Sequence, residues 1–282
     1  MRLLRLIPLV GLFFVGACDK DGAVRHASIP PLAYIRYVHA VPDTDSLDFK
    51  FIDAIEYSPS YAGMVFRNIG IYQGARAGTR DIKVFRHSPS ITTTQEVLVD
   101  TTLTLVAGTY YTIAHVGYRL PANGTPAQRL VVITDVFPTQ SATQAHLSAI
   151  NLIVGPGTAN QDVFVTADTS VTLVAATPVF ANVAPLTRTA FVTRDTGLFA
   201  VQTAANATTV RLAQVRADSG VAGRIHPTLL EPHDPVGGYK VPGTTYTAFL
   251  FPRSIVGLLP AAFTTPAVVL VVDRQPPRFV PD

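Results

Sequence analysis

Apolar and polar side chains alternate along Leu47-Asp48-Phe49-Lys50-Phe51, the period of two that turns one face of a β-strand toward a core. The same alternation recurs along the chain. Each half carries about seven such segments, separated by Gly, Pro, Asp and Thr turns over roughly 105 to 130 residues, the dimensions of an immunoglobulin-like sandwich. The pattern therefore predicts an all-β protein of two tandem immunoglobulin-like antiparallel β-sandwich domains. Gly108 and Gly243, each followed by Thr, are expected to supply a backbone angle that other residues avoid at the entry to a strand. The stretch from Ser254 to Val272 is uncharged over its whole length. Its Pro260 and Pro266 oppose a membrane helix, so it reads as two buried strands joined by a loop.

The two halves share an ordered set of landmarks. Ala33-Tyr34-Ile35-Arg36-Tyr37-Val38-His39-Ala40 answers to Leu147-Ser148-Ala149-Ile150-Asn151, and Leu47-Asp48-Phe49-Lys50-Phe51 to Gln161-Asp162-Val163-Phe164-Val165. Thr79 to Val84 is set against Thr187 to Val192, Gly108-Thr109-Tyr110 against Gly243-Thr244-Thr245, and the closing run to Asp135 against that to Asp273. The spacing grows late in the second copy, which places an insertion at 217–240. The domain reading is a signal peptide over 1–17, a lipidated tether over 18–31, a first domain over 32–138 and a second over 145–275.

The leader decides the address. Arg2 and Arg5 precede an uncharged, largely apolar run from Leu6 to Ala17, the layout of an export signal and too short for a conventional membrane span. Val15-Gly16-Ala17-Cys18 resembles the lipobox of bacterial lipoproteins, in which the cysteine thiol takes up a diacylglyceryl group. Cys18 is the only cysteine, so it also excludes an intrachain disulfide and a cysteine-based zinc site. Two or three acyl chains hold a protein stably on a bilayer where one does not. The expected location is thus the cell envelope, lipid-anchored and extracytoplasmic, with the choice between inner and outer membrane left open.

Composition agrees with strands: three Glu and four Lys stand beside thirty-two Thr in 282 residues, with 48% hydrophobic and 15% charged. The formal charge of +3 includes Arg2 and Arg5. Their removal leaves 20 basic against 19 acidic groups, so no nucleic-acid partner is expected.

Ile35-Arg36-Tyr37-Val38-His39-Ala40-Val41-Pro42-Asp43, followed by Leu47-Asp48-Phe49 and later by Ala107-Gly108-Thr109-Tyr110, resembles the domain-of-unknown-function 4397 family. The resemblance covers residues 33 to about 135 well and the second half less, where Asn151 stands in place of His39 and Gly155-Pro156-Gly157 replaces the Pro-Asp turn. It implies an exported or lipid-anchored bacterial sandwich module, and the family carries no established catalytic residues to transfer.

Three groups of side chains are candidates for chemistry. Asp43, Asp45 and Asp48, with His39, surround one turn and could offer oxygen ligands to calcium, although their spacing does not follow the EF-hand. The competing reading has His39 and the aspartates capping the turn, and Asn151 favours it because an amide replaces imidazole as a hydrogen-bonding group but not as a base. His226, Glu231, His233 and Asp234 in the insertion could bind zinc without matching a known motif. Tyr57, Tyr61 and Tyr72 could stack on a sugar or contact a protein, or simply pack. There is no nucleophile elbow, Walker motif or His-Glu-x-x-His. The resulting expectation is a non-catalytic binding, adhesion or structural lipoprotein without a cofactor. Its partners would be the bilayer, through acylated Cys18, and an envelope protein or polysaccharide. The alternative is a metal-dependent extracytoplasmic hydrolase.

Overall fold

The structure is a computed structural model that describes residues 29–88, 96–122, 124–155, 160–217, 241–255 and 259–275. Cys18, the signal peptide and the His226, Glu231, His233, Asp234 group lie outside the described residues. The first sandwich contains β1 (Leu32–His39), β2 (Ser46–Phe51), β3 (Ser60–Val65), β4 (Gln73–Arg76), β5 (Gly78–Arg86), β6 (Val97–Leu105), β7 (Tyr110–Val116) and β8 (Arg129–Asp135). The second contains β9 (Gln144–Asn151), β10 (Gln161–Thr166), β11 (Phe180–Val183), β12 (Val192–Asp195), β13 (Ala200–Ala205), β14 (Arg211–Arg216), β15 (Thr245–Phe251) and β16 (Ala267–Arg274).

Each sandwich pairs two four-stranded sheets, ordered β4-β1-β7-β8 over β3-β2-β5-β6 and β12-β9-β15-β16 over β11-β10-β13-β14. Every strand of the second sandwich thus occupies the place of the strand eight positions earlier. Alternation delivers the cores: Leu47, Phe49 and Phe51 meet Ala33, Ile35 and Tyr37 in the first, while Leu147, Ala149, Tyr246 and Ala248 meet Val163, Val201 and Ala213 in the second.

Three details depart from the sequence reading. Among the described residues each sandwich contains one parallel pair, β1 with β7 and β9 with β15. No hairpin joins these strands, since the whole opposite sheet intervenes along the chain, so a long crossover allows parallel pairing. The counterpart of Thr79 to Val84 in β5 is β13, whereas Val192 opens β12, the counterpart of β4. The shared Thr-Arg pair therefore misaligned this landmark by one strand. Finally, the described residues of Ser254 to Val272 hold one strand rather than two, because β16 starts only at Ala267 and a short 3-10 turn at Ala261–Phe263 precedes it. Among the described residues no helix is long and apolar enough to cross a membrane.

From Pro31 onward both sandwiches lie in a single compact unit. The outer face of the β4-β1-β7-β8 sheet packs on that of the β12-β9-β15-β16 sheet. Val38, Ala40, Ala114 and Val116 from one side meet Ile150, Leu152, Phe249 and Phe251 from the other. β1 is therefore buried on both faces, with Ile35 and Tyr37 turned into its own core and Arg36 and Val38 into the seam.

Candidate functional site

The polar half of the seam is a buried cluster of two arginines and two aspartates. Arg36 of β1 donates from Nη1 to Oδ1 of Asp273 on β16 at 2.5 Å, and from Nε to Oγ1 of Thr112 at 2.8 Å. Arg188, just before β12, pairs through Nη1 with Asp135 on β8 and donates from Nη2 to Thr247 Oγ1 at 2.8 Å. Each threonine hydroxyl in turn donates to the aspartate of its own sheet, Thr112 to Asp135 at 2.6 Å and Thr247 to Asp273 at 2.5 Å. Thr112 with Asp135 and Thr247 with Asp273 occupy equivalent places in the two sandwiches. Each receives a guanidinium from across the seam. The arginines do not come from equivalent places, because Ser148 stands where Arg36 would recur.

The cluster is shut off from water, with Asp135 and Asp273 side chains fully buried and Arg36 1% exposed. Tyr72 donates to Asp135 at 2.7 Å, and its ring lies 4.5 Å from the Arg36 guanidinium carbon; Phe191 covers Arg188 at 4.7 Å. Burial alone pulls the Arg36 pKa down, and the surrounding acidic groups, Asp273 first with Tyr72 and Asp135, together more than offset it, so the guanidinium stays charged. Burial likewise raises the Tyr72 phenol well above its usual range, which keeps it a donor. Two positive and two negative groups balance.

The aspartates considered as calcium ligands are held apart on separate tasks. Both Asp43 carboxylate oxygens accept backbone N–H groups, from Arg119 and Leu120 at 2.8 Å each, which fasten the turn after β7 to the turn after β1. Asp48 accepts the N–H of Gly63 at 2.8 Å and pairs with Nδ1 of His87 at 2.8 Å. Asp45 is exposed. The Asp43 and Asp48 carboxylates are thus spent on donors of the chain itself, and among the described residues no three His, Cys, Asp or Glu converge as a metal site.

The second copy explains why these residues recur. Asp162 accepts the N–H of Asn182 at 2.7 Å, as Asp48 does that of Gly63. Gly63 and Asn182 both have positive φ, 62° and 59°, and each aspartate lies opposite a register shift in the neighbouring edge strand. The aspartate satisfies the N–H group that a β-bulge frees from the ladder. His39 is equivalent to Asn151 in the same sense: His39 Nδ1 accepts the N–H of Val41 at 3.3 Å, and Asn151 Oδ1 that of Ile153 at 3.0 Å. Burial, with His115 beside it, lowers the His39 pKa well below 6.5, and burial brings His115 down to about 3. Both rings are neutral structural groups at neutral pH.

The three tyrosines do not form a platform together. Tyr61 is buried, its hydroxyl shared between the carbonyls of Ile35 and Ile71; Tyr72 belongs to the seam; Tyr57, at φ 51°, is exposed on the loop after β2. Sequence reasoning passed over Arg36, Asp135, Arg188 and Asp273 as a group. The available signal was that two largely apolar strands, β8 and β16, both reach an aspartate beside equivalent threonine-bearing neighbours, β7 and β15.

The fold and the seam define a tandem β-sandwich protein whose two domains are fastened through a buried charge cluster. Residues 33–158, from β1 to beyond β9, are matched by the family model of DUF4397, a domain of unknown function. Among curated proteins none matches the sequence. Among solved structures, a crystal structure of a candidate cell adhesion protein from Parabacteroides distasonis is similar at 10% identity, covering 86% of this chain and 99% of that one. Its TM-score of 0.22 is too low to carry an argument about this chain.

Proposed function

We propose that the protein is a non-catalytic, lipid-anchored module of the cell envelope, in which two sandwiches act as one stiff body that binds or spaces other envelope components. The observation that carries this reading is the seam. Arg36, Arg188, Asp135 and Asp273, groups of the type that catalysis uses, are buried against one another and serve to fix the relative position of two domains. His39, Asp43 and Asp48, the most suggestive residues of the sequence, hold turns and a bulge. The run Val15-Gly16-Ala17-Cys18 supports the anchor.

Metabolic labelling with a fatty-acid probe, in cells expressing the native chain or Cys18→Ala, tests the anchor: label and membrane fractionation should depend on Cys18. Equal labelling of both chains, or none of either, would refute it. Purified protein with stoichiometric zinc and hydrolytic turnover abolished by a chelator would instead establish the hydrolase.

A further inference from the structure

We propose that one end of the paired sandwiches, the end at which the chain enters β1, rests on the surface of the lipid bilayer. The inference rests on the lipid-anchor reading and adds an orientation and a contact surface to it. β1, β5 and β7 begin at this end, and β2, β4, β6 and β8 finish there. Its loops are tied to one another by the Ala77 N–H on Pro31, the Gly108 N–H on Leu32 and the Arg76 N–H on Tyr57, at 2.9, 2.7 and 2.9 Å. The corresponding end of the second sandwich is level with it, since the Arg274 guanidinium at the close of β16 lies 4.9 Å from the Tyr110 ring at the start of β7 and 4.5 Å from Phe137.

The loop tips of this end expose apolar side chains, beside the acidic Asp53 and Glu56 of the loop after β2. Ile55 is 96% exposed, Val136 76%, Val106 59% and Tyr57 39%; Val174 at 78% and Leu198 at 41% continue the surface on the second sandwich. Single exposed side chains of this kind are ordinary, and several sharing one end are what shallow contact with a bilayer requires. Exposed apolar groups also occur at the opposite end, Leu120 and Val210 among them, so number alone does not choose the partner. The covalent path does. Twelve residues separate Cys18 from Pro31, a leash of at most roughly 40 Å. The opposite end lies a further strand length away, about 27 Å for an eight-residue strand. An acylated Cys18 therefore presents the β1 end to the bilayer at a high effective concentration, where weak apolar and aromatic insertion suffices.

The chain contains no tryptophan, so single reporters are unambiguous. Acylated full-length Ile55→Trp, Val136→Trp and Leu120→Trp proteins would be reconstituted into phosphatidylethanolamine–phosphatidylglycerol vesicles with and without brominated acyl chains. The Ile55→Trp and Val136→Trp reporters should shift to the blue and lose roughly half their emission to bromine, while Leu120→Trp stays unquenched. Co-flotation with all three reporters unquenched would overturn the docking and leave the anchor standing. Absence of both acylation and flotation would overturn the two together. A blue shift that grows with the protein-to-lipid ratio, without bromine quenching, would assign the surface to a second copy of the chain and likewise overturn the proposal.

Discussion

Replacing Asp273 by Asn takes one negative charge out of a sealed cluster while leaving its shape almost unchanged. Asp273 receives Arg36 Nη1 at 2.5 Å and Thr247 Oγ1 at 2.5 Å, with Arg188 Nη2 at 3.6 Å. Asp273→Asn leaves two guanidinium groups facing the single carboxylate of Asp135, with no solvent to screen the excess. Breaking one partner of a buried pair costs about 3–5 kcal/mol, and nothing in the seam relieves this one. The exposed Lys83–Asp100 pair, whose side chains are 29% and 59% accessible, is a built-in comparison and should yield under about 1 kcal/mol when broken. Urea denaturation of the two variants measures the difference. The wild-type chain should unfold in one transition, because the seam joins both cores. The combined change Arg36→Met with Asp273→Leu should recover most of the loss, since an apolar pair of similar volume removes the uncompensated charge along with its partner. A cost below about 1 kcal/mol for Asp273→Asn, or two resolved transitions in the wild-type chain, would refute the view that the charge cluster fuses the sandwiches.

Other consequences are as direct. His39→Asn should be tolerated to within about 1 kcal/mol because Asn151 already performs that task, whereas His39→Leu, which orphans the buried Val41 N–H, should cost about 1–3 kcal/mol in the same denaturation assay. His39 and His115 both have folded-state pKa values below the unfolded value, so the unfolded chain takes up protons first. Stability is intact above about pH 6.5 and falls as the pH drops through the window from there toward about 3 for His115. For His115 the loss should approach about 2 kcal/mol between pH 7 and pH 5 by thermal or urea unfolding, with His39 acting in the same direction, and His115→Phe should flatten the profile. Gly117 has φ 94° and a Cβ there would collide with the Ala127 carbonyl, so Gly117→Ala should destabilise by about 2 kcal/mol or more, read as a lowered melting temperature.

The sequence by itself determined the all-β class and the tandem repeat, because a period of two in side-chain polarity is a local property that survives without knowledge of partners. Gly108 and Gly243 were legible for the same reason: their φ values of 74° and 80° are demands of a turn, and each donates its N–H to the start of the neighbouring first strand, Leu32 or Gln144. The equivalence of His39 and Asn151 was readable as hydrogen-bonding chemistry before the Val41 and Ile153 amides were in view. What the tertiary structure alone decided was the destination of each polar group. Asp48 and Asp162 look like ligands in a line of sequence and become bulge caps only once a neighbouring strand places a free N–H beside them. Arg36 and Asp273 are 237 positions apart, and Arg188 reaches Asp135 from a place that the repeat does not predict. A charge can be buried only where its opposite is also buried. That pairing is created by two sheets meeting face to face, a contact that strand periodicity does not encode.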